Sequence, residues 1–130
     1  MLDMHDVRIH GLNFAEDDMG YPLLILDIDL WELKSLNEEN DGGEFFVQAS
    51  FLKFYRSFDF SIDLGMRGNP CLIVSEVNFE KSDDEYKALI IMRDGVSRIS
   101  FVFSSFELLR RGPVLVKKNI QYLEFSERQL

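Results

Sequence analysis

Cysteine is almost missing. Cys71 stands alone, so no internal disulfide can form and the core must hold the chain together, as in proteins of reducing compartments. With only His5 and His10 beside it, there are too few soft ligands for a zinc site of the usual kind. Long apolar runs are missing too. The longest, residues 23–26 and 88–92, fall far short of the ~20 residues a membrane helix needs. The opening Met-Leu-Asp-Met-His-Asp has neither the basic nor the apolar region of a secretory signal, and the expectation is a cytoplasmic protein with no membrane contact. Positive charge is in deficit. There are 14 basic against 23 acidic residues, a net of −9. Residues 1–50 hold 12 acids and only Arg8 and Lys34 as bases, whereas residues 51–130 are nearly balanced. Such a field repels nucleic-acid phosphates and anionic lipid and attracts basic proteins. Solubility alone would also account for it.

What is abundant is apolar and aromatic: 46% of 130 residues are hydrophobic, and 12 are Phe. That suffices for a single domain, residues 1–130, with its own core. Turn signals recur at short intervals, at 15–20, 37–43, 65–70, 80–85, 94–95 and 112–113. Between them, Phe58-Asp-Phe-Ser-Ile-Asp-Leu64 alternates apolar and polar residues without a break, as a half-buried strand requires. Ile99, Phe101 and Phe103 share one face of 96–103; Leu24, Leu26, Ile28 and Leu30 share one face of 23–31. Asp94-Gly95 between two apolar runs predicts a hairpin with a type I′ turn. Further strands are predicted at 7–14, 45–55, 72–79 and 86–92, a short strand at 113–116, and a tail at 120–125. Some helical character is read at 31–36 and one helical turn at 105–111, stopped by Gly112-Pro113. The expected fold is mainly β: an antiparallel β-sandwich or open barrel of about seven or eight strands with at most one or two short helices. Connections this short exclude a parallel α/β sheet.

The chain offers little to catalysis. His5 and His10, an odd distance apart on a presumed strand, point to opposite faces, and His5-Asp6 is no dyad for the same reason. Asp27 and Asp29 share a strand face about 7 Å apart. They would suit calcium only with more oxygens from a loop; a solvated strand face or acidic rim is the plainer reading. Cys71, after Asn69-Pro70, reads as a buried inert thiol. Gly65-Met-Arg-Gly68 lacks the Lys-Ser/Thr and the helix of a phosphate loop. No catalytic residue, metal ligand or cofactor is expected.

The segments His5-Asp6-Val-Arg-Ile9-His-Gly11 and Leu24-Ile-Leu-Asp-Ile-Asp-Leu-Trp31 resemble a pattern in small bacterial proteins, many uncharacterised and some of immunity type, encoded beside secreted or contact-delivered toxins. Arg111-Gly-Pro-Val-Leu115, Gln121-Tyr-Leu123 and Glu127-Arg128 are similar to the ends of such chains. The resemblance implies an antitoxin that neutralises a cognate toxin domain by occlusion, without chemistry of its own. A basic protein partner fits the charge. The candidate binding residues are Glu16, Asp17, Asp18, Asp27, Asp29, Glu32, Glu38, Glu39 and Asp41, with Trp31 as aromatic anchor or else as a core residue. Two alternatives stay open: a small-ligand-binding or enzymatic β-barrel using His5, Asp27 and Arg67, or a regulatory subunit of a larger complex.

Overall fold

A computed structural model describes residues 3–37, 42–65 and 72–128. They form nine strands and one short 3-10 helix. The strands are β1 (Arg8–Glu16), β2 (Pro22–Asn37), β3 (Gly42–Tyr55), β4 (Phe58–Asp63), β5 (Leu72–Ser82), β6 (Glu85–Met92), β7 (Arg98–Phe103), β8 (Ser105–Arg110) and β9 (Leu115–Lys118); the 3-10 helix is Phe125–Arg128. All pairings are antiparallel, in the order β4-β7-β6-β5-β1-β2-β3-β8, with β9 continuing the β8 edge of β3. The two ends of this path, β4 and β8, are not paired with each other, so the sheet is open.

The sheet doubles over on itself because strands change layer at its corners. β3 passes into β4 through Arg56 and Ser57, and β7 into β8 through Ser104, whose N–H donates to Tyr55 O at 3.0 Å. β1 meets β5 only at Arg8 and Ile9, and β5 then departs through a bulge between Val74 and Glu76. Strands that switch sheets at bends and bulges are the usual means of building such corners. The alternating stripes read from the sequence meet inside. Leu24, Leu26 and Ile28 of β2 and Leu52 and Phe54 of β3 face Ala88, Ile90 and Met92 of β6 and Ile99, Phe101 and Phe103 of β7. Phe54 lies edge-on to Phe101 and Phe103, at 4.8 and 4.9 Å between centroids, so its ring is the hub of the aromatic core.

Local readings fail where a non-local partner decides. Residues 105–111 are not a helical turn. They form β8, because β3 is fourteen residues long and its outer edge needs a ladder partner. Gly112-Pro113 does not stop a helix; it lies between β8 and β9 along the same edge of β3. Residues 31–36 continue β2. A register shift between Leu33 and Ser35 breaks the alternation there, which is why the stretch looks helical. The short strand is Leu115–Lys118 rather than 113–116. The β6–β7 hairpin is present, but of its two central residues only Gly95 has positive φ. Its turn is therefore not type I′. Asp94 caps it, accepting from Val96 and Ser97 N–H at 2.8 and 2.7 Å and from Ser97 Oγ at 2.6 Å. These bonds, the Ser97 hydroxyl first, hold the Asp94 carboxyl below its usual range.

Candidate recognition surfaces

Asp27 and Asp29 do share a face of β2, but that face is not the solvated rim expected of it. A bulge in β1 places both His10 and Gly11 opposite Asp27 and brings the His10 ring to the same side. His10 Nε2–H donates to Asp29 Oδ2 at 2.6 Å, and Leu123 N–H donates to the same oxygen at 2.9 Å. Arg128 pairs with both Asp27 and Asp29, and Arg111 with Asp27 at 2.7 Å. Asp29 is thereby fully buried, at 0% exposure. A buried carboxylate is tolerable only when its oxygens are occupied by charge and hydrogen bonds, as here. Burial, then the guanidinium groups of Arg128 and Arg8, lower the His10 pKa from 6.5 to about 4 against the opposing pull of Asp27. His10 is therefore neutral at pH 7 and acts as a donor.

This cluster fastens the C-terminal segment, residues 119–128, across the outer face of β2 and β3. Leu123 completes a second small core with Val47 and Ala49, against which Trp31, Phe45 and Leu115 pack. The segment is pinned at each end. Asn119 Oδ1 accepts from Gly43 N–H at 3.0 Å and its own N–H donates to Gly43 O at 2.7 Å. Lys117 Nζ donates to both oxygens of Glu127 at 2.7 and 2.9 Å, which lowers that carboxyl's pKa. A Cβ on Gly42 would collide with the Asn119 side chain, so the close approach requires glycine there.

Trp31 is half-buried between both cores. Its Nε1–H donates to His5 O at 3.1 Å, and its ring meets Phe45 edge-on at 5.5 Å. It is a fixed wall rather than a free anchor. His5 and Asp6 lie in a turn before β1, not on a strand, and their side chains do meet, at 3.1 Å. Asp6 is engaged by Arg93, and His5 is largely in solvent. His5 and Asp27 do not converge on one site, since each is held by other partners. Among the described residues no group of three or more His, Cys, Asp or Glu is placed to hold a metal ion.

The remaining acids are divided between the two ends of β2. At one end the reversals after β1, β3, β5 and β7 gather into a rim. Ser57 N–H reaches Pro22 O, Arg56 lies over the Tyr21 ring at 4.4 Å, and Phe103 is paired with Tyr86. Glu16, Asp18, Asp59, Asp83, Asp84, Glu85 and Glu107 are exposed on these turns. The Tyr55 phenol senses them: desolvation, its bond to Glu107 and the charges of Asp17 and Asp18 all raise its pKa above 10.0. Asp17 itself is half-buried, since its Oδ1 accepts from Met19 and Tyr21 N–H, both at 2.9 Å. It shapes the turn. Glu32 lies on the far arm, ten residues along β2 from Pro22, or about 33 Å at 3.3 Å per residue. Glu38, Glu39, Asp41, Arg67 and Cys71 lie outside the described residues.

On that arm the inner stripe of β3 outruns the opposing sheet. The alternation Phe54, Leu52, Ser50 continues as Gln48 and Phe46, with Leu30 beside it on β2, Leu108 and Arg110 on β8, and Val114 beyond. Phe46, Gln48, Leu30, Leu108, Arg110 and Val114, with Asp3, Trp31 and Glu32, line an open groove of about 450 Å³. Phe46 and Val114 remain 37% and 52% exposed. A second groove of about 480 Å³ lies on the outer face beside the strap, between Asn13, Ile25, Asp27, Phe51 and Lys53. The sequence reading missed the arm groove, because residues 46–54 carry apolar side chains on both faces and Gln48 and Ser50 interrupt the inner stripe. It also missed Arg111 and Arg128, whose pairing with Asp27 and Asp29 has no local signature. No helix among the described residues is long and apolar enough to cross a membrane. Compared with known proteins, the chain matches no family model, no curated protein and no solved structure.

Proposed function

We propose that this protein is a binding protein of immunity type, which neutralises a basic toxin domain by covering its working surface. The observation that carries the reading is the acidic rim. The fold turns four reversals of the chain to one end, where the exposed acids Glu16, Asp18, Asp59, Asp83, Asp84, Glu85 and Glu107 outnumber the exposed cations Arg56 and Lys81. A predominantly acidic surface raises the rate at which an oppositely charged partner is met. The likeness of the segments around His5–Gly11 and Leu24–Trp31 to immunity-type chains supports the same reading.

The test is co-expression with the product of the adjacent gene, scored by growth and by association kinetics on the purified pair. Protection from that product and a tight complex are expected. In low salt, Glu16→Lys with Asp18→Lys and Asp84→Lys should slow association by roughly tenfold and leave dissociation nearly unchanged. Failure of the neighbour's product to be bound or neutralised would overturn the reading.

A further inference from the structure

We infer that the arm groove is a docking site for a projecting loop of a basic protein, taking one large apolar side chain flanked by Lys or Arg. The inference rests on the proposed binding role for the partner's identity, but not for the geometry. The floor is apolar and uncovered because β2 and β3 extend past the opposing sheet: Leu30, Phe46, Leu108 and Val114 lie on the face that elsewhere forms the core. The volume, about 450 Å³, is ample for a single aromatic or aliphatic side chain with its neighbouring backbone. The walls are set before any partner arrives. Trp31 is held by His5 O, and Gln48 Nε2 donates to Gly112 O at 2.9 Å, fixing the loop that carries Val114. A rigid apolar pocket ringed by polar groups is where binding energy concentrates in protein interfaces.

Charge selects the flanking residues. Asp3 and Glu32 both stand exposed at the lip. The cation facing Glu32 is Arg110, 3.9 Å away with both side chains more than half exposed. A contact that long and wet holds Glu32 weakly, and an incoming Lys or Arg would replace it at little cost. Among the described residues, Asp3 accepts from the His5 backbone N–H, at 2.9 Å. The lip therefore sets two carboxylates, Asp3 and Glu32, against one cation, Arg110, and its net negative charge favours a cationic segment over an acidic one.

The probe is a capped pentapeptide, acetyl-Gly-Lys-Phe-Arg-Gly-amide, titrated into the purified full chain and followed by amide and indole NMR shifts. Saturable binding is expected, with a dissociation constant on the order of 1 mM, as suits a fragment of an interface. The Trp31 Nε1–H and the Gln48 and Val114 amides should move most. The analogue with Glu in place of Lys and Arg should bind at least fivefold more weakly, and Glu32→Gln should narrow that difference. Phe46→Lys, at an exposed position, should abolish binding with the fold retained. The inference is overturned if Trp31 Nε1–H stays unmoved at 10 mM peptide, if the acidic analogue binds equally, or if the shifts fall on the outer-face groove. A concentration-dependent dimer that buries Val114 and Val116 would overturn it as well. Peptide binding without neutralisation of the neighbour's product would refute only the immunity role; neutralisation without peptide binding would refute only this site.

Discussion

Arg128→Ala tests whether the C-terminal strap is a structural part of the fold. In the wild type the fully buried Asp29 carboxylate accepts from His10 and Leu123 and pairs with Arg128. Removing the guanidinium leaves two responses. If the strap stays in place, an uncompensated buried charge remains, and breaking a buried pair in this way costs about 3–5 kcal/mol. If the strap peels away, Asp29 regains water but Leu123 leaves the small core with Val47 and Ala49, which forfeits about 1.5–3 kcal/mol for one large aliphatic side chain. Either path costs more than about 1.5 kcal/mol at pH 7, measurable by urea unfolding. Amide exchange at Leu123 separates them, since its N–H loses protection only if the strap detaches. His10 supplies a second readout. Arg128 is the largest electrostatic influence depressing its pKa, so in a variant whose strap stays docked the His10 pKa should rise, and the variant's deficit against wild type should shrink as pH falls from 6.5 toward 4. A loss below about 1 kcal/mol, with the His10 titration unmoved, would refute the reasoning.

The wild type should itself lose stability in acid through His10. Its folded pKa lies below the unfolded value, so the contribution is complete above pH 6.5 and is lost as pH falls toward 4. Full linkage at 1.36 kcal/mol per unit sets an upper bound of roughly 3 kcal/mol, which solvent screening at the half-buried ring reduces to about 1–2 kcal/mol. Urea midpoints compared between wild type and His10→Gln should converge as pH drops through that window. Phe54→Ala removes the ring that meets both Phe101 and Phe103, and should cost about 3–5 kcal/mol in the same assay. Trp31→Phe keeps most of the packing but deletes the bond to His5 O, so about 1 kcal/mol is expected, with the turn at residues 5–6 gaining amide exchange.

The strands of the core were legible because a strand writes its own faces into the sequence. Leu24, Leu26 and Ile28 are buried as a set, and Ile99, Phe101 and Phe103 opposite them. The same alternation placed Asp27 and Asp29 together on one face. Whether that face is wet depends on residues 119–128, which have no periodicity and find their place only through Asn119, Leu123 and Arg128. Ser105-Phe-Glu-Leu-Leu-Arg110 carries apolar residues at a spacing that suits a helix, and the length of the β3 edge overrode it. The His10 bulge and the positive φ of Asp6 undid the parity argument about the histidines.

The folded chain consumes much of its own charge asymmetry. Acids of the first third meet bases from later in the chain: Asp6 with Arg93, Asp27 with Arg111 and Arg128, Asp29 with Arg128. Among the described residues, one group of exposed acids stands at the rim, where Asp59, Asp83 and Asp84 join Glu16 and Asp18. The arm groove runs from Leu108, level with Leu26 through Leu52, to Glu32, a span roughly 13 to 33 Å from the rim end of β2 at strand rise. At physiological salt, charges are screened over ~8 Å, so a rim that does not touch the partner has almost no effect on docking at the groove. Reversing Glu16 and Asp18 to Lys therefore distinguishes two modes of engagement. If the partner sits on the groove alone, the association rate should change at low salt and be indifferent at 0.15 M. If the partner spans both regions, the rate and the dissociation constant should both suffer at 0.15 M, and the interface must exceed the ~800 Å² per partner of a standard complex.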